Sequence, residues 1–313
     1  MRASNTLLFL LLASLGVLGG CDSTTTSDHV EEVIVESYLV ANEPLPPIWL
    51  TKSISIGDTF NPGAVALRNA HVVVNELDGS GSIVKSILFL EASDEPGAYH
   101  ASENVLVRGG HTYRLEVDAG PSFDLVTAVT TVPDDFELIA PSATEIEYKD
   151  PEQYSMLVTQ SEVVGGQSVF VFTMESLDPT LQNLIPAYFE FIFDEDYENI
   201  DSVEWTLDDL REVIRFSSPP IFEGNYEVFG DGTLRVKLPW FVVAFYGPLR
   251  VTMTVLDKNL YDFQRYQQVQ QGGSTLSPGE IPNVLDHVEN GRGLFASTAR
   301  VSHVVNILKE STN

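Results

Sequence analysis

Apolar and polar residues alternate with a period of two along much of the chain. In the first half, this alternation covers EEVIVESYLV from residue 31, then AHVVVNE, SIVKSILFL, HTYRLEV and LVTAVTTV between residues 70 and 132. Turns rich in glycine, such as DGSG at residues 78–81, separate the stretches. Short strands at this spacing, with no helical period between them, predict an Ig-like β-sandwich over residues 30–135.

The second half also predicts strands, after an acidic and proline-broken stretch at residues 137–151 that marks a domain boundary. Two segments there predict helices instead. The sequence TLDD at residues 206–209 resembles a capping box and predicts the start of a short helix. Asp257 precedes a stretch in which apolar residues recur with the period of a helix. Residues 136–313 are therefore expected to form a second β-rich domain with a packed helix near 257–271, and the fold class is mainly β. The strands predicted in this half include residues 154–160, 168–175, 187–193, 213–216, 232–237, 240–246 and 249–256.

The amino terminus has the layout of a secretory signal. Arg2 supplies a positive charge, and an apolar core runs with interruptions from Leu7 to Leu18. This core is shorter than the roughly 20 residues that a helix needs to cross a bilayer. Two glycines and Cys21 follow directly, as in a bacterial lipobox. We therefore expect residues 1–20 to be a lipoprotein signal peptide.

Cys21, the only cysteine, is expected to be the lipid attachment site. An acylated cysteine leaves no thiol for a disulfide, a metal or nucleophilic catalysis. The alternative is an unmodified thiol in a conventional secreted protein. Residues 21–29 are polar and read as a flexible tether. We expect a lipid-anchored protein of the outer membrane. The sequence does not decide between the periplasmic face and the surface-exposed face of that membrane. Asp22 resembles an inner-membrane retention signal used by some Gram-negative bacteria.

The chain is strongly acidic, with 45 Asp and Glu against 17 Lys and Arg and a formal net charge of -28. Such a charge repels phosphate backbones, so nucleic acid is not an expected partner. It also repels anionic lipid headgroups. The acyl group, rather than a basic patch, is therefore expected to hold the membrane.

Several stretches resemble a known family: VESYLVANEP, AHVVVNE, PGAYHA, VRGGHTYRLEV, TAVTTVP, NLYDFQRY and PGEIPNVLDHVENGRGLFAS. With the lipobox, their order and spacing resemble the domain-of-unknown-function family of Gram-negative lipoproteins numbered four-two-four-nine. The resemblance implies a membrane lipoprotein, often encoded beside a TonB-dependent receptor, with no established activity and no catalytic residues to carry over. Residues 137–235 match none of these stretches and are expected to hold any individual specificity.

No local signature of an enzyme stands out. None of the six histidines is paired at a zinc-site spacing, and His111, after two glycines, is interpreted as a turn residue. No nucleophile elbow, phosphate loop or dinucleotide fingerprint occurs. Catalytic triads and carboxylate pairs that are assembled from distant strands leave no local motif in the sequence. The absence of motifs therefore does not exclude an enzyme.

The strongest concentration of carboxylates is DEDYENID at residues 194–201. Asp194, Asp196 and Glu198 alternate and could share a calcium ion, which prefers six to eight oxygen ligands. Trp205 stands where a calcium loop would place its bidentate glutamate. A solvated hairpin tip is the alternative interpretation.

The run WFVVAFY at residues 240–246 is aromatic enough to suggest a glycan-stacking platform. Burial on both faces explains so apolar a run more simply, and core packing is favoured.

These observations favour a non-catalytic lipoprotein that assists a TonB-dependent outer-membrane transporter by binding its cargo or the receptor. Two other classes stay open. One is a surface-anchored hydrolase with dispersed carboxylates, which would require a convergent pair of acids lining a cleft. The other is a structural or adhesive module.

Overall fold

The computed structural model describes residues 29–55, 57–161, 168–194, 197–222, 226–268 and 287–310. Within them the protein is mostly β-strand with few short helices, which confirms the predicted fold class. The strands are β1 (Val33–Val40), β2 (Ile48–Lys52), β3 (His71–Leu77), β4 (Ile83–Glu91), β5 (Ala98–Ala101), β6 (Thr112–Asp118), β7 (Val126–Thr131), β8 (Leu138–Pro141), β9 (Glu145–Glu147), β10 (Ser155–Thr159), β11 (Phe170–Ser176), β12 (Arg215–Ser217), β13 (Glu227–Val228), β14 (Thr233–Lys237), β15 (Gly247–Leu256), β16 (Val288–Glu289) and β17 (Arg292–Leu308). The α-helices are α1 (Pro62–Val65), α2 (Pro186–Phe193), α3 (Leu207–Ile214) and α4 (Lys258–Gln268).

Of the strands in the described ranges, thirteen form one large sheet and four form a small one. In the large sheet the order is β12-β11-β15-β17-β1-β2-β5-β4-β3-β6-β7-β16, with β9 paired to β17 beside this path. The small sheet has the order β13-β14-β10-β8. Successive side chains of a strand point to opposite faces of the sheet, and one face is buried in the core. Along β6, for example, Tyr113, Leu115 and Val117 are fully buried and the residues between them are half-buried.

Strand β17 joins the early and late parts of the chain. Its first residues pair in parallel with β1, and from Thr298 onward it pairs antiparallel with β15. The strand begins in a turn: Asn290 just before it and Gly293 within it have positive φ angles of 57° and 108°. A Cβ at Gly293 would overlap the carbonyl oxygen of Val35. Glycine is therefore required where β17 meets β1.

The large sheet folds back on itself around a shared core, which fits a β-sandwich. Thr130 of β7 hydrogen-bonds to Ser297 of β17, although these strands are not neighbours in the sheet. One cluster of buried apolar residues contains side chains from both predicted domains, for example Leu115 and Phe172. The division at residue 136 stays a prediction, and β17 pairs with strands on both sides of it.

Two predicted strands of the second half are wrong. Residues 187–193 form α2, which has Pro186 in its first turn and ends at Asp194 in the left-handed conformation. Residues 240–246 begin with a 3-10 turn at Trp240–Val242 and contain no strand. Short apolar runs do not separate strand from helix by periodicity alone, and proline favours a helix start.

Both predicted helices are present. Helix α3 begins with a reciprocal capping box between Thr206 and Asp209. The start of α4 is capped by Asp257, whose Oδ1 accepts a hydrogen bond from Leu260 N at 2.8 Å. The helix packs against β17. No helix in the described ranges is long and apolar enough to cross a bilayer.

The strands at the ends of both sheets are short. Strands β12, β13 and β16 have two or three residues, and β8 has four and ends in Pro141. Short edges present few unpaired backbone groups to a second chain.

Candidate functional site: the His287 cavity

Buried polar side chains fix the start of α4 inside the sandwich. Asp257 is 2% exposed. Its Oδ2 accepts a hydrogen bond from Thr130 Oγ1 at 2.5 Å, and its backbone N donates to Ser297 O at 3.0 Å. Because Oδ1 caps Leu260, this one residue ties the helix start to both β7 and β17.

Burial controls the charge of Asp257. Removal from water raises the pKa of this carboxyl to about 6, although hydrogen bonds from Thr130 and from the Leu260 backbone oppose the rise. Asp257 does not line the cavity described below. Its role is therefore to hold the helix, and its protonation changes near pH 6.

Asn259, in the first turn of α4, makes a second link between the same two strands. It is 6% exposed, and its Nδ2 donates to Val129 O at 2.7 Å and to Phe295 O at 2.9 Å. The backbones of β7 and β17 do not pair with each other. The amide therefore satisfies carbonyl groups on both sides of the core.

Asp262, one turn further along α4, holds a histidine. Its carboxylate is 7% exposed, and Oδ2 lies 2.8 Å from Nε2 of His287. Lys258 contacts the same carboxylate from the helix surface. A carboxylate bound to one ring nitrogen fixes the orientation of an imidazole and leaves the other nitrogen for a different partner.

His287 lines a cavity of about 630 Å³ on the outer side of β6, β7 and β16. The strand register places Glu116 and Glu289 on either side of Thr127. A volume of this size is typical of small-molecule sites. We call it the His287 cavity, and its lining residues are Arg114, Glu116, Thr127, Ala128, Val129, His287 and Glu289.

Arg114 brings a permanent positive charge to this cavity. Its Nη2 lies 2.8 Å from Glu116 Oε1. Its Nε is buried, and no hydrogen-bond acceptor for it is found in the described part of the chain. A buried donor without a partner costs about 1–3 kcal/mol. Because this nitrogen is buried, the contribution of Arg114 to the cavity is its positive charge.

The side chains around the His287 cavity offer charges and hydrogen-bonding groups but no activated nucleophile among the described residues. Thr127 Oγ1 donates to Glu289 at 2.9 Å rather than to the imidazole. Among the described residues, no serine or threonine hydroxyl hydrogen-bonds to His287 in the way an activated nucleophile would. The arrangement supports binding better than covalent catalysis.

The predicted calcium ligands are spread over the end of α2 and the turn after it. Asp194 ends α2, and Glu198 lies in the 3-10 turn Tyr197–Ser202. Asp196 lies outside the described residues, as does the predicted lipidation site Cys21. Within the ranges that the structure describes, no three His, Cys, Asp or Glu side chains are grouped to hold a metal. The calcium site stays a prediction.

His111 contacts a buried acid. Its Nδ1 lies 2.8 Å from Oε1 of Glu76, which is 3% exposed, and Arg108 Nη1 lies 3.3 Å from the same oxygen. The guanidinium of Arg108 and the ring nitrogen of His111 give polar partners to a carboxylate that would otherwise be buried alone.

The aromatic run at residues 240–246 contributes mainly to the core, as the sequence favoured. Phe245 is 2% exposed, and Trp240 and Tyr246 pack edge-on against Tyr148 with ring centroids 5.6 and 5.9 Å away. Phe241 is the exception, with 71% of its surface exposed.

Sequence reasoning missed the His287 cavity because its residues are far apart in the chain. Asp262 and His287 are separated by 25 positions, which fits no local metal or catalytic motif. The stretches that carry the family resemblance contain the only signal. VRGGHTYRLEV contributes Arg114, TAVTTVP contributes Thr127, and NLYDFQRY and PGEIPNVLDHVENGRGLFAS contribute the Asp262–His287 pair.

Several solved structures align with most of the chain at low similarity. Trypsin-activated α2-macroglobulin from Escherichia coli is 10% identical with a TM-score of 0.23, over 89% of this chain and 16% of that chain. Salmonella α2-macroglobulin reacted with methylamine is 11% identical with a TM-score of 0.21, over 90% and 24%. The three N-terminal domains of the bacteriophage RB49 outer capsid protein Hoc are 8% identical with a TM-score of 0.20, over 73% and 64%. The chain thus spans less than two thirds of each, and similarity this low carries no argument about fold or function.

No curated protein matches the chain. A family model does: the model described as Domain of unknown function (DUF4249) matches residues 22–303. The matched region contains β1 to β16, most of β17 and all the residues that line the His287 cavity. The chain therefore belongs to the domain-of-unknown-function family DUF4249.

Proposed function

We propose that this protein is a membrane-anchored, extracytoplasmic lipoprotein that acts as a non-catalytic accessory to a TonB-dependent outer-membrane transporter. The LGGC stretch at residues 18–21 supports lipidation of Cys21. The resemblance to Gram-negative lipoproteins encoded beside such receptors supports the link to a transporter. In this proposal the acyl chains hold the protein at the outer membrane, and the folded part binds cargo or the receptor.

The His287 cavity is the observation that carries the binding role. Its wall combines the guanidinium of Arg114 with the carboxylates of Glu116 and Glu289 and an imidazole held by Asp262. Arg114, Glu116 and Glu289 stand on paired strands, and the imidazole is held by the helix through Asp262. Pre-organised groups of both charges suit a small polar ligand that carries both donors and acceptors.

The transporter link is tested by a pull-down in mild detergent. The tagged, lipidated protein is isolated from its own membranes and its partners are identified by mass spectrometry, with Cys21→Ser as the unlipidated control. Reproducible enrichment of one large β-barrel receptor, reduced in the control, is the expected result. Recovery of the lipoprotein alone would contradict a stable partnership.

A His287→Ala variant distinguishes binding of cargo from binding of the receptor. If the receptor is still captured at the wild-type level, the His287 cavity serves cargo. If capture is lost while the thermal unfolding midpoint is unchanged, the cavity contacts the receptor itself. The exposed His100→Ala, whose histidine lies on β5 away from the cavity, provides the matched control.

A surface-anchored hydrolase is the second candidate, and a carboxylate pair favours it. Glu116 and Glu289 stand on the two neighbours of β7, so their backbones are about 10 Å apart at roughly 4.8 Å per strand. Two facing carboxylates are the machinery of glycoside hydrolysis. Turnover of chromogenic glycosides that disappears in both Glu116→Gln and Glu289→Gln would favour this candidate. Equal background rates in the wild type and both variants would remove it.

A further inference from the structure

A second polar surface lies on the outer side of β11, β12, β15 and β17. Antiparallel pairing aligns its side chains in rows: Arg215, Glu175 and Arg250 lie side by side in one row. A row of four hydroxyl groups lies next to it, on Ser217, Thr173, Thr252 and Ser302. All of these residues except Ser217 line a cavity of about 540 Å³. We call this surface the arginine face, and its lining residues are Glu43, Thr173, Glu175, Arg215, Arg250, Thr252, Thr254, Arg300 and Ser302.

The charge of the arginine face is opposite to that of the protein. Three guanidinium groups face two carboxylates there, a local net charge of +1, whereas the whole chain carries -28. The protein has only 17 lysines and arginines, so three of them around one cavity is a strong local concentration. A positive basin in an acidic surface attracts anions selectively.

The arginines are unequally paired. Arg250 Nη1 lies 2.8 Å from Glu175 Oε2, and Arg300 Nε lies 2.9 Å from Glu43 Oε1. In the part of the chain that the structure describes, Arg215 has no carboxylate within ion-pair distance, although it stands beside Glu175 in the row. The two existing pairs are each about half-exposed, so they add little to stability.

The hydroxyl groups hydrogen-bond to one another and can donate to a ligand instead. Thr252 and Ser302 are 2.8 Å apart, and Thr173 and Ser217 are 3.3 Å apart. Each hydroxyl can rotate to donate to an oxygen placed above the sheet. Among the residues that the structure describes, no aromatic side chain lines this cavity to stack on a sugar ring.

We propose that the arginine face binds a compact polycarboxylate, with carboxylate groups on the guanidiniums and the hydroxyl row donating to the remaining oxygens. Planar guanidinium groups match carboxylates in bidentate geometry. Glu43 and Glu175 already occupy two arginines, so a ligand must offer several anionic groups to displace them. A cavity of about 540 Å³ suits a small molecule rather than a polymer. This proposal does not depend on the role of the His287 cavity.

The test is isothermal titration of the detergent-solubilised full protein with citrate at low salt, with acetate and pyrophosphate as comparison anions. We expect saturable binding of citrate, no saturation with acetate, and affinity for citrate that exceeds that for pyrophosphate. Arg215→Ala should weaken citrate binding about tenfold, since it removes one charge-assisted contact. Thr252→Val, which keeps the shape and removes a hydroxyl, should weaken binding about threefold.

Arg211→Ala is the matched control, because Arg211 is exposed on α3 only four residues before Arg215 and carries the same charge. It should bind citrate as the wild type does. If Arg211→Ala and Arg215→Ala weaken citrate binding equally, the loss comes from the change in net charge, and the proposed site is overturned. Absence of saturable citrate binding, or tighter binding of pyrophosphate, would overturn the polycarboxylate assignment. Unchanged thermal unfolding midpoints establish that each variant is folded.

Discussion

The polar cluster around Asp257 and the arginine face are built from the same kinds of groups but differ in access to water. Each combines carboxylate and hydroxyl groups: Asp257 with Thr130 and Ser297 in the first, and Glu43 and Glu175 with a row of hydroxyls in the second. Asp257, Thr130 and Ser297 are at most 2% exposed, whereas Glu175 and Arg250 are 40% and 45% exposed. Buried groups cannot exchange their partners for water, but exposed groups can. The first cluster therefore holds the fold together, and the second is free to change partners.

The largest expected effect comes from the buried side. Asp257→Ala removes the cap of α4 and the acceptor of Thr130, so we expect a loss of about 4 kcal/mol at pH 5. Urea unfolding of the unlipidated Cys21→Ser protein measures it. Glu175→Ala in the arginine face is the control, with an expected loss below about 1 kcal/mol. Equal losses in the two variants would break the contrast between the clusters.

The pH dependence of stability gives the next effect. The folded pKa of Asp257, about 6, is above the ordinary value of 3.8, so the folded protein holds this proton where the unfolded chain has lost it. The stabilising contribution of the protonated group is complete below pH 3.8 and is lost as pH rises through 6. The difference between the folded and unfolded pKa values corresponds to a change of about 3 kcal/mol in the free energy of unfolding.

Comparison with Asp257→Asn isolates this contribution, because asparagine does not titrate. The difference in unfolding free energy between the wild type and this variant should change by about 3 kcal/mol between pH 3.5 and 7. The wild type should lose stability relative to the variant as pH rises. A constant difference across this range would show that Asp257 titrates normally.

Two ion pairs on helices give a smaller contrast. Asp262 pairs with Lys258 and His287 and is 7% exposed, whereas Asp208 pairs with Arg211 and is 79% exposed. We expect Asp262→Ala to cost about 2 kcal/mol and Asp208→Ala about 0.4 kcal/mol in urea unfolding. Similar costs would mean that burial of Asp262 adds nothing to its contacts.

The smallest expected effect is the coupling between Arg250 and Glu175. A double-mutant cycle with alanine at each position should give a coupling energy below about 1 kcal/mol, which falls further in 0.5 M salt. A coupling above about 2 kcal/mol would show that this pair is structural and would argue against its displacement by a ligand.

The sequence predicted those parts of the fold in which local pattern and final environment agree. The alternation of HTYRLEV places Tyr113, Leu115 and Val117 on one face, and the structure buries all three. The segment at 187–193 failed because a compact run of aromatic and aliphatic residues satisfies either period. There, Pro186 and the buried contact of Phe189 under α2 decide for helix.

Strand β17 and the His287 cavity could not be predicted, for a related reason. In β17, residues 294–299 are all buried, so alternation disappears where the strand has core on both faces. Asp262 reaches His287 only because the fold brings α4 beside the residue that precedes β16. Such a contact depends on tertiary packing, which has no local pattern in the chain.

The position of β17 has a consequence for biosynthesis. The partner that β1 requires on one side is made some 258 positions later, as the register of Ile34 with Arg292 shows. Contacts between such distant positions slow folding, because a long loop must close before they form. A chain emerging amino terminus first therefore cannot complete the large sheet until nearly all of it has been released. For the exported lipoprotein proposed above, this delay would keep the chain threadable until translocation is almost finished.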